Sequence, residues 1–117
     1  MRIRTTMGGC GIVVGVLLSA QIVRAQDQAS AEQGMQVYAA QKCSVCHSIE
    51  GKGAKKGPLD EVGSRLTQDE VRQWIVNAPE MTKKTKATRK PLMKNYAHLP
   101  KSEVDALVAF VSSLKKR

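Results

Sequence analysis

The sequence predicts an all-α domain of three main helices, with one long loop between the second and the third. Three observations carry this. Ser30-Ala31-Glu32-Gln33 and Thr67-Gln68-Asp69-Glu70 are capping boxes, in which a hydroxyl accepts from a backbone N–H of the first turn and the side chain three residues on reaches back. Val104, Leu107, Val108 and Val111 recur at spacings of three and four, one face of a helix. Nothing alternates strand with helix in the βαβ manner, and no sheet is expected.

In chain order, Arg2 and Arg4, an apolar run from about Met7 to Ala20 and the small-residue end Val23-Arg24-Ala25 read as a secretory signal over residues 1–25. Ile3 separates the two arginines, so this is not a twin-arginine signal. The mature chain is expected to begin near Gln26, and Cys10 to leave with the signal. An uncleaved anchor is the alternative: Met7–Val23 reaches the lower edge of a membrane span, weakened by Ser19 and Gln21. The first helix is expected over Ala31–Lys42, with Gly34 and Tyr38 one turn apart; the glycine is either a propensity cost or the mark of a close helix crossing. Gly51, Gly53 and Gly57-Pro58 make residues 49–63 a loop, with a short turn around Leu59–Val62. The second helix follows Thr67, shows Val71, Trp74 and Ile75 on one face, and ends near Asn77, before Pro79. Residues 78–99 have no period, are rich in lysine and contain Pro79 and Pro91; loops of this length are usually functional. The last helix follows Pro100 and ends in Lys115-Lys116-Arg117, cations that suit its negative end.

Removing the signal leaves 92 residues, a domain whose core is small. Its aromatic residues are Tyr38, Trp74, Tyr96 and Phe110. A large apolar prosthetic plate would supply the missing contact. The net charge of +9 falls to +6 as Arg2, Arg4 and Arg24 depart and no acidic residue does. A basic field attracts acidic protein surfaces. Nucleic acid is excluded as a partner, since no aromatics interleave with the basic run and the compartment is wrong.

Cys43-Ser44-Val45-Cys46-His47 is the most informative stretch. In an exported chain, Cys-x-x-Cys-His is the attachment signature of a covalently bound c-type haem. On a helical turn both thiols and the imidazole meet one flat ligand, so Cys43 and Cys46 would form thioethers and His47 would bind the iron. Two alternatives use the same residues. The cysteines would pair as a disulfide or redox dithiol, or Cys43, Cys46, His47 and His98 would hold zinc, although adjacent Cys46 and His47 suit its paired spacing poorly.

With these marks the mature chain resembles the small bacterial class I cytochromes c, mono-haem proteins with a distal methionine. The likeness runs through Gly34 and Tyr38, the pentapeptide, Gly57-Pro58-Leu59, Val62-Gly63-Ser64-Arg65-Leu66, Trp74-Ile75, Met93 and Val104-Asp105-Ala106-Leu107-Val108-Ala109-Phe110. The resemblance implies three helices wrapped around one haem c, with a long loop carrying the distal ligand. It implies that Gly34, Tyr38 and Phe110 lie where the first and last helices cross. It implies that the Pro58 carbonyl accepts from Nδ1 of His47, orienting the ring, and that Arg65 and Trp74 approach a haem propionate.

Met93 is the expected distal ligand, standing between Pro91 and Tyr96 where the loop can carry it to the far face; Met81 is its rival, and His98 a lesser one. The family commonly has proline right after this methionine, where this chain has Lys94. A His/Met pair raises the potential relative to two imidazoles and leaves iron no open position. The expected function is therefore that of a periplasmic one-electron carrier and not an enzyme. The alternatives are a haem-based ligand sensor in which Met93 is displaced, and a small electron-transfer subunit of a larger, membrane-associated oxidoreductase. Lys52, Lys55, Lys56 and the basic residues between 83 and 94 would flank the haem edge and dock an acidic redox partner. A free carrier of this kind is expected to be monomeric.

Overall fold

Residues 14–117 are described by a computed structural model, with side chains from residue 22 onward; the front of the expected signal lies outside the described residues. Helix α1 spans Val14–Ala40, so the cap expected at Ser30 does not start it. Residues 16–33 contain neither glycine nor proline, and Ser30 does not interrupt a run that is otherwise free of breakers. Residues 22–29 are exposed all round, and burial begins at Ser30. Among the described residues no helix is long and apolar enough to cross a membrane.

Lys42, in the left-handed region at φ 56°, ends the first helix and opens a 3-10 turn over Cys43–Val45. Contrary to the expectation of no sheet, a two-residue ladder follows, β1 (Ser48–Ile49) antiparallel to β2 (Lys52–Gly53). Its turn residues Glu50 and Gly51 both have positive φ, 50° and 76°, the geometry of a tight hairpin. Strands of two residues leave no periodicity to read.

The turn over Leu59–Val62 forms, with Val62 N–H donating to the Leu59 carbonyl at 3.0 Å, and leads into α2 (Val62–Arg65). Helix α3 (Gln68–Val76) has its capping box: Glu70 N–H donates to Thr67 Oγ1 at 3.2 Å, and Thr67 N–H donates to Glu70 Oε2 at 2.8 Å. The Thr67 N–H and hydroxyl, both donating to Glu70 Oε2, hold the carboxyl below its ordinary pKa. The expected 22-residue loop is shorter than predicted, because α4 (Ala78–Thr85) occupies its first part with Pro79 in the opening turn. Proline ends α3 and begins α4 for one reason: its missing N–H is harmless only in a first turn.

Helix α5 (Lys101–Ser113) buries Val104, Ala106, Leu107, Val108, Val111 and Ser112 and is the centre of the packing. Gly34 of α1 lies against it, where a Cβ would sit 2.7 Å from the Ala106 carbonyl carbon and 2.5 Å from Phe110 Cβ. The rings of Tyr38 and Phe110 meet edge-to-face beside this crossing, 5.7 Å between centroids. Val71 and Ile75 of α3 and Val62 of α2 complete one apolar cluster with α5 and Val37. Asp105 on α5 joins Arg72 of α3 at 2.7 Å and Lys101 at 2.5 Å.

Candidate functional site

Chain reversal after α1 brings the pentapeptide together. The N–H groups of Cys46 and His47 both donate to the Cys43 carbonyl, at 3.1 and 2.9 Å, which is the helical turn expected for this motif. Cys43 and Cys46 are free thiols, half-buried, and with His47 they line one cavity. Burial pushes the Cys43 thiol up in pKa, whereas an attacking dithiol needs a lowered one.

Nδ1 of His47 lies 3.1 Å from the carbonyl oxygen of Gly57. The acceptor is thus Gly57 and not Pro58. Local pairing explains the shift by one residue: Ser48, itself 3% exposed, donates its N–H to the Gly57 carbonyl at 3.0 Å and accepts from Leu59 N–H at 2.8 Å. This register aims the Gly57 carbonyl at the histidine segment. A carbonyl only accepts, so Nδ1 carries the proton and Nε2 keeps its lone pair. Burial lowers the His47 pKa; the Gly57 bond opposes this and the Arg89 charge adds to it. The ring is neutral and oriented, the form a metal ligand takes.

The cavity measures about 620 Å³. Its inner wall is the core itself: Val62, Val71, Ile75, Leu107 and Val111 line it. Trp74 forms part of the wall, half-buried. Tyr38 also lines it, and its hydroxyl is buried without a hydrogen-bond partner. Across the mouth runs the segment after α4, tied at one end by Ala87 N–H to the Thr82 carbonyl at 3.0 Å and at the other by Tyr96 N–H to the Ile75 carbonyl at 2.9 Å. Met93 lies between these ties and lines the cavity.

The structure therefore gathers Cys43, Cys46, His47, Trp74 and Met93 around one space. It leaves others out. Met81 is buried beneath α4, 8% exposed, away from the lining. His98 is exposed beside Tyr96 and absent from the lining. Among the described residues no cluster of three His, Cys, Asp or Glu side chains suits a metal ion, so the four-residue zinc set does not assemble. Arg65, expected near a propionate, is exposed on α2 and off the cavity, where Val62 and Leu66, one turn apart, take the inward positions of this segment. Arg89 lines the cavity instead, and its Nη2 donates to the Cys46 carbonyl. Read in sequence it was one cation in a basic loop; no local pattern signals a contact across 43 residues.

No curated protein and no solved structure is a significant match to this chain. A protein-family model described as Cytochrome c matches residues 31–115, which spans the pentapeptide, the cavity and the α1–α5 crossing. The chain therefore belongs to the cytochrome c family of haem-based electron carriers.

Proposed function

We propose that this chain is a periplasmic one-electron carrier in which Cys43 and Cys46 would attach haem c and His47 and Met93 would bind its iron. The observation that carries the reading is the convergence of two thiols, a neutral oriented imidazole and a thioether on one cavity with apolar walls. The residues present suit the group. Two part-buried thiols stand one turn apart, the core side is lined by aliphatic side chains, and the Tyr38 hydroxyl lacks a partner that a bound polar group would provide.

When bound, haem supplies reversible exchange of one electron between ferric and ferrous iron. The chain does the rest. His47 holds its proton on Nδ1 through Gly57, Met93 offers a neutral soft sulfur that favours the ferrous state, and the valines and leucines of the wall exclude water. His47 and Met93 would hold the haem iron between them, which suits electron exchange rather than the binding of a substrate. Residues 1–25 carry the pattern of an export signal; the mass of the isolated protein distinguishes a cleaved chain from a tethered one.

Absorption spectra of the ferrous protein with and without carbon monoxide test the reading. The wild-type spectrum is expected to ignore the gas, Met93→Ala to bind it, and Met81→Ala to behave as wild type. A Met93→Ala protein that still refused carbon monoxide would remove Met93 as ligand, and a wild-type protein that bound it readily would favour the sensor.

The exposed lysines of the two loops support an acidic redox partner. Lys52, Lys55, Lys56, Lys90 and Lys94 are all exposed, and the field of such a patch speeds encounter with acidic surfaces. Electron-transfer rates with an acidic partner are expected to fall about tenfold or more as ionic strength rises from low to physiological values. Rates indifferent to salt would reduce the lysines to a solvated loop.

A further inference from the structure

One side chain reaches between the two sides of the cavity. Arg89 belongs to the segment that carries Met93, four residues further on, yet its Nη2 donates to the carbonyl of Cys46, the residue before His47. The same guanidinium lies against Gly57, where a Cβ would collide with both Nη1 and Nη2. Gly57 is buried, and its carbonyl accepts from His47 Nδ1. Arg89 thus contacts both backbone segments that hold the imidazole, and its charge bears on that ring. Gly57 is not among the residues with positive φ. Its conformation does not demand glycine, whereas the space taken by the Arg89 guanidinium and the Cys46 carbonyl does.

We propose that Arg89 is a positioning residue that clasps the Met93-bearing loop to the Cys46–His47 backbone, with Gly57 as the socket that admits its guanidinium. The proposal rests on the reading of His47 and Met93 as the axial ligands. Two consequences follow. Without the clasp, residues 88–95 are held chiefly by the ties at Ala87 and Tyr96, so Met93 would be held less firmly where it would bind the iron. A fixed positive charge beside the proximal ligand favours the ferrous form, so its removal lowers the midpoint potential. Arginine meets both demands with one planar fork of donors. Lysine keeps the charge and loses the fork, and glutamine keeps a donor and loses the charge.

The test uses the full-length, haem-loaded protein and the variants R89Q, R89K, G57A and M93A. It compares the rate of carbon monoxide binding to the ferrous protein, the midpoint potential and thermal melting. R89Q is expected to bind carbon monoxide about tenfold faster or more, the effect of losing a charge-assisted hydrogen bond that held the loop closed. Its ferrous-to-ferric ratio at a given potential is expected to fall by up to about tenfold, a drop of about 59 mV for one electron. R89K is expected to regain most of the potential and little of the slow gas binding. G57A, which displaces the guanidinium while keeping its charge, is expected to follow R89K.

If M93A excludes carbon monoxide, the ligand assignment fails and the clasp with it. If M93A opens while R89Q keeps the wild-type gas-binding rate and potential, the clasp alone is refuted. A lowered melting temperature in R89Q without change in either quantity would likewise make Arg89 a structural residue only. A Cβ at Gly57 also crowds the Cys46 carbonyl; should G57A fail to fold, the contrast between R89Q and R89K decides.

Discussion

Gly34→Val is expected to destabilise the domain by about 3 kcal/mol or more. Two effects oppose each other at this position. Replacing an interior helical glycine with a better helix former gains up to about 1 kcal/mol. Against this, the first added carbon would stand 2.7 Å from the Ala106 carbonyl carbon and 2.5 Å from Phe110 Cβ. One of these is backbone of α5, which cannot rotate away, so the two helices must separate. Separation uncovers Val37 and the Tyr38–Phe110 contact. Overpacking ordinarily costs about 1–3 kcal/mol, and a clash with helix backbone belongs at or above the top of that range. Against a total stability of about 5–15 kcal/mol, that is a large loss. Urea unfolding followed by circular dichroism measures it, with Gly34→Ala as the graded companion. If the alanine variant were more stable than wild type by the propensity gain alone, the close crossing would not exist.

The second large effect concerns attachment. Cys43→Ser with Cys46→Ser is expected to remove all haem that survives denaturation, while each single variant retains one link. Mass spectrometry of the denatured chain, before and after the substitutions, reads this directly. Retention of covalent haem in the double variant would refute the thioether assignment. Folding should suffer as well. Val62, Val71, Ile75, Leu107 and Val111 are both the core and the wall of a cavity of about 620 Å³. Without a plate against that wall, the apolar contact is lost over one whole side of the core. In a domain this small the loss approaches the total stability of about 5–15 kcal/mol. Thermal melting of the double variant, compared with that of the loaded protein, measures this loss. An unchanged melting point would mean that the helices do not depend on the haem.

Local chemistry made much of this legible. Thr67 and Glu70 are three residues apart, and their bonds need nothing beyond the first turn of α3, so the cap is present as read. The turn of Cys43 to His47 is equally local. Ser30 carries a comparable pattern and does not begin a helix, because the residues before it are good helix formers. Pro79 marks the end of α3 and equally the beginning of α4. Proline restricts its own φ and the residue before it, and both restrictions are compatible with a first turn.

The site divides along the same line. Cys43, Cys46 and His47 lie within five residues, so their grouping is legible without knowing the fold. Met93 was preferred over Met81 on its place between Pro91 and Tyr96, and the structure gives Met93, not Met81, a place on the cavity. Pro58 and Arg65 were carried over by resemblance, and both were displaced. Which carbonyl faces His47 depends on the register of Ser48 against Gly57 and Leu59. Which arginine approaches the cavity depends on how the loop after α4 folds back over Cys46.

By itself the sequence determined the helical class, the cap of α3, the attachment motif and the basic charge of the molecule. These depend on spacings of four residues or fewer, or on composition, and hydrogen bonds and side-chain size at that range act the same way in many folds. Only the tertiary structure decided the carbonyl of Gly57 as acceptor, the exclusion of Met81, His98 and Arg65, and the reach of Arg89 to Cys46. Each of those joins segments remote in sequence, and its outcome turns on shifts of an ångström or one residue of register, which no local pattern encodes.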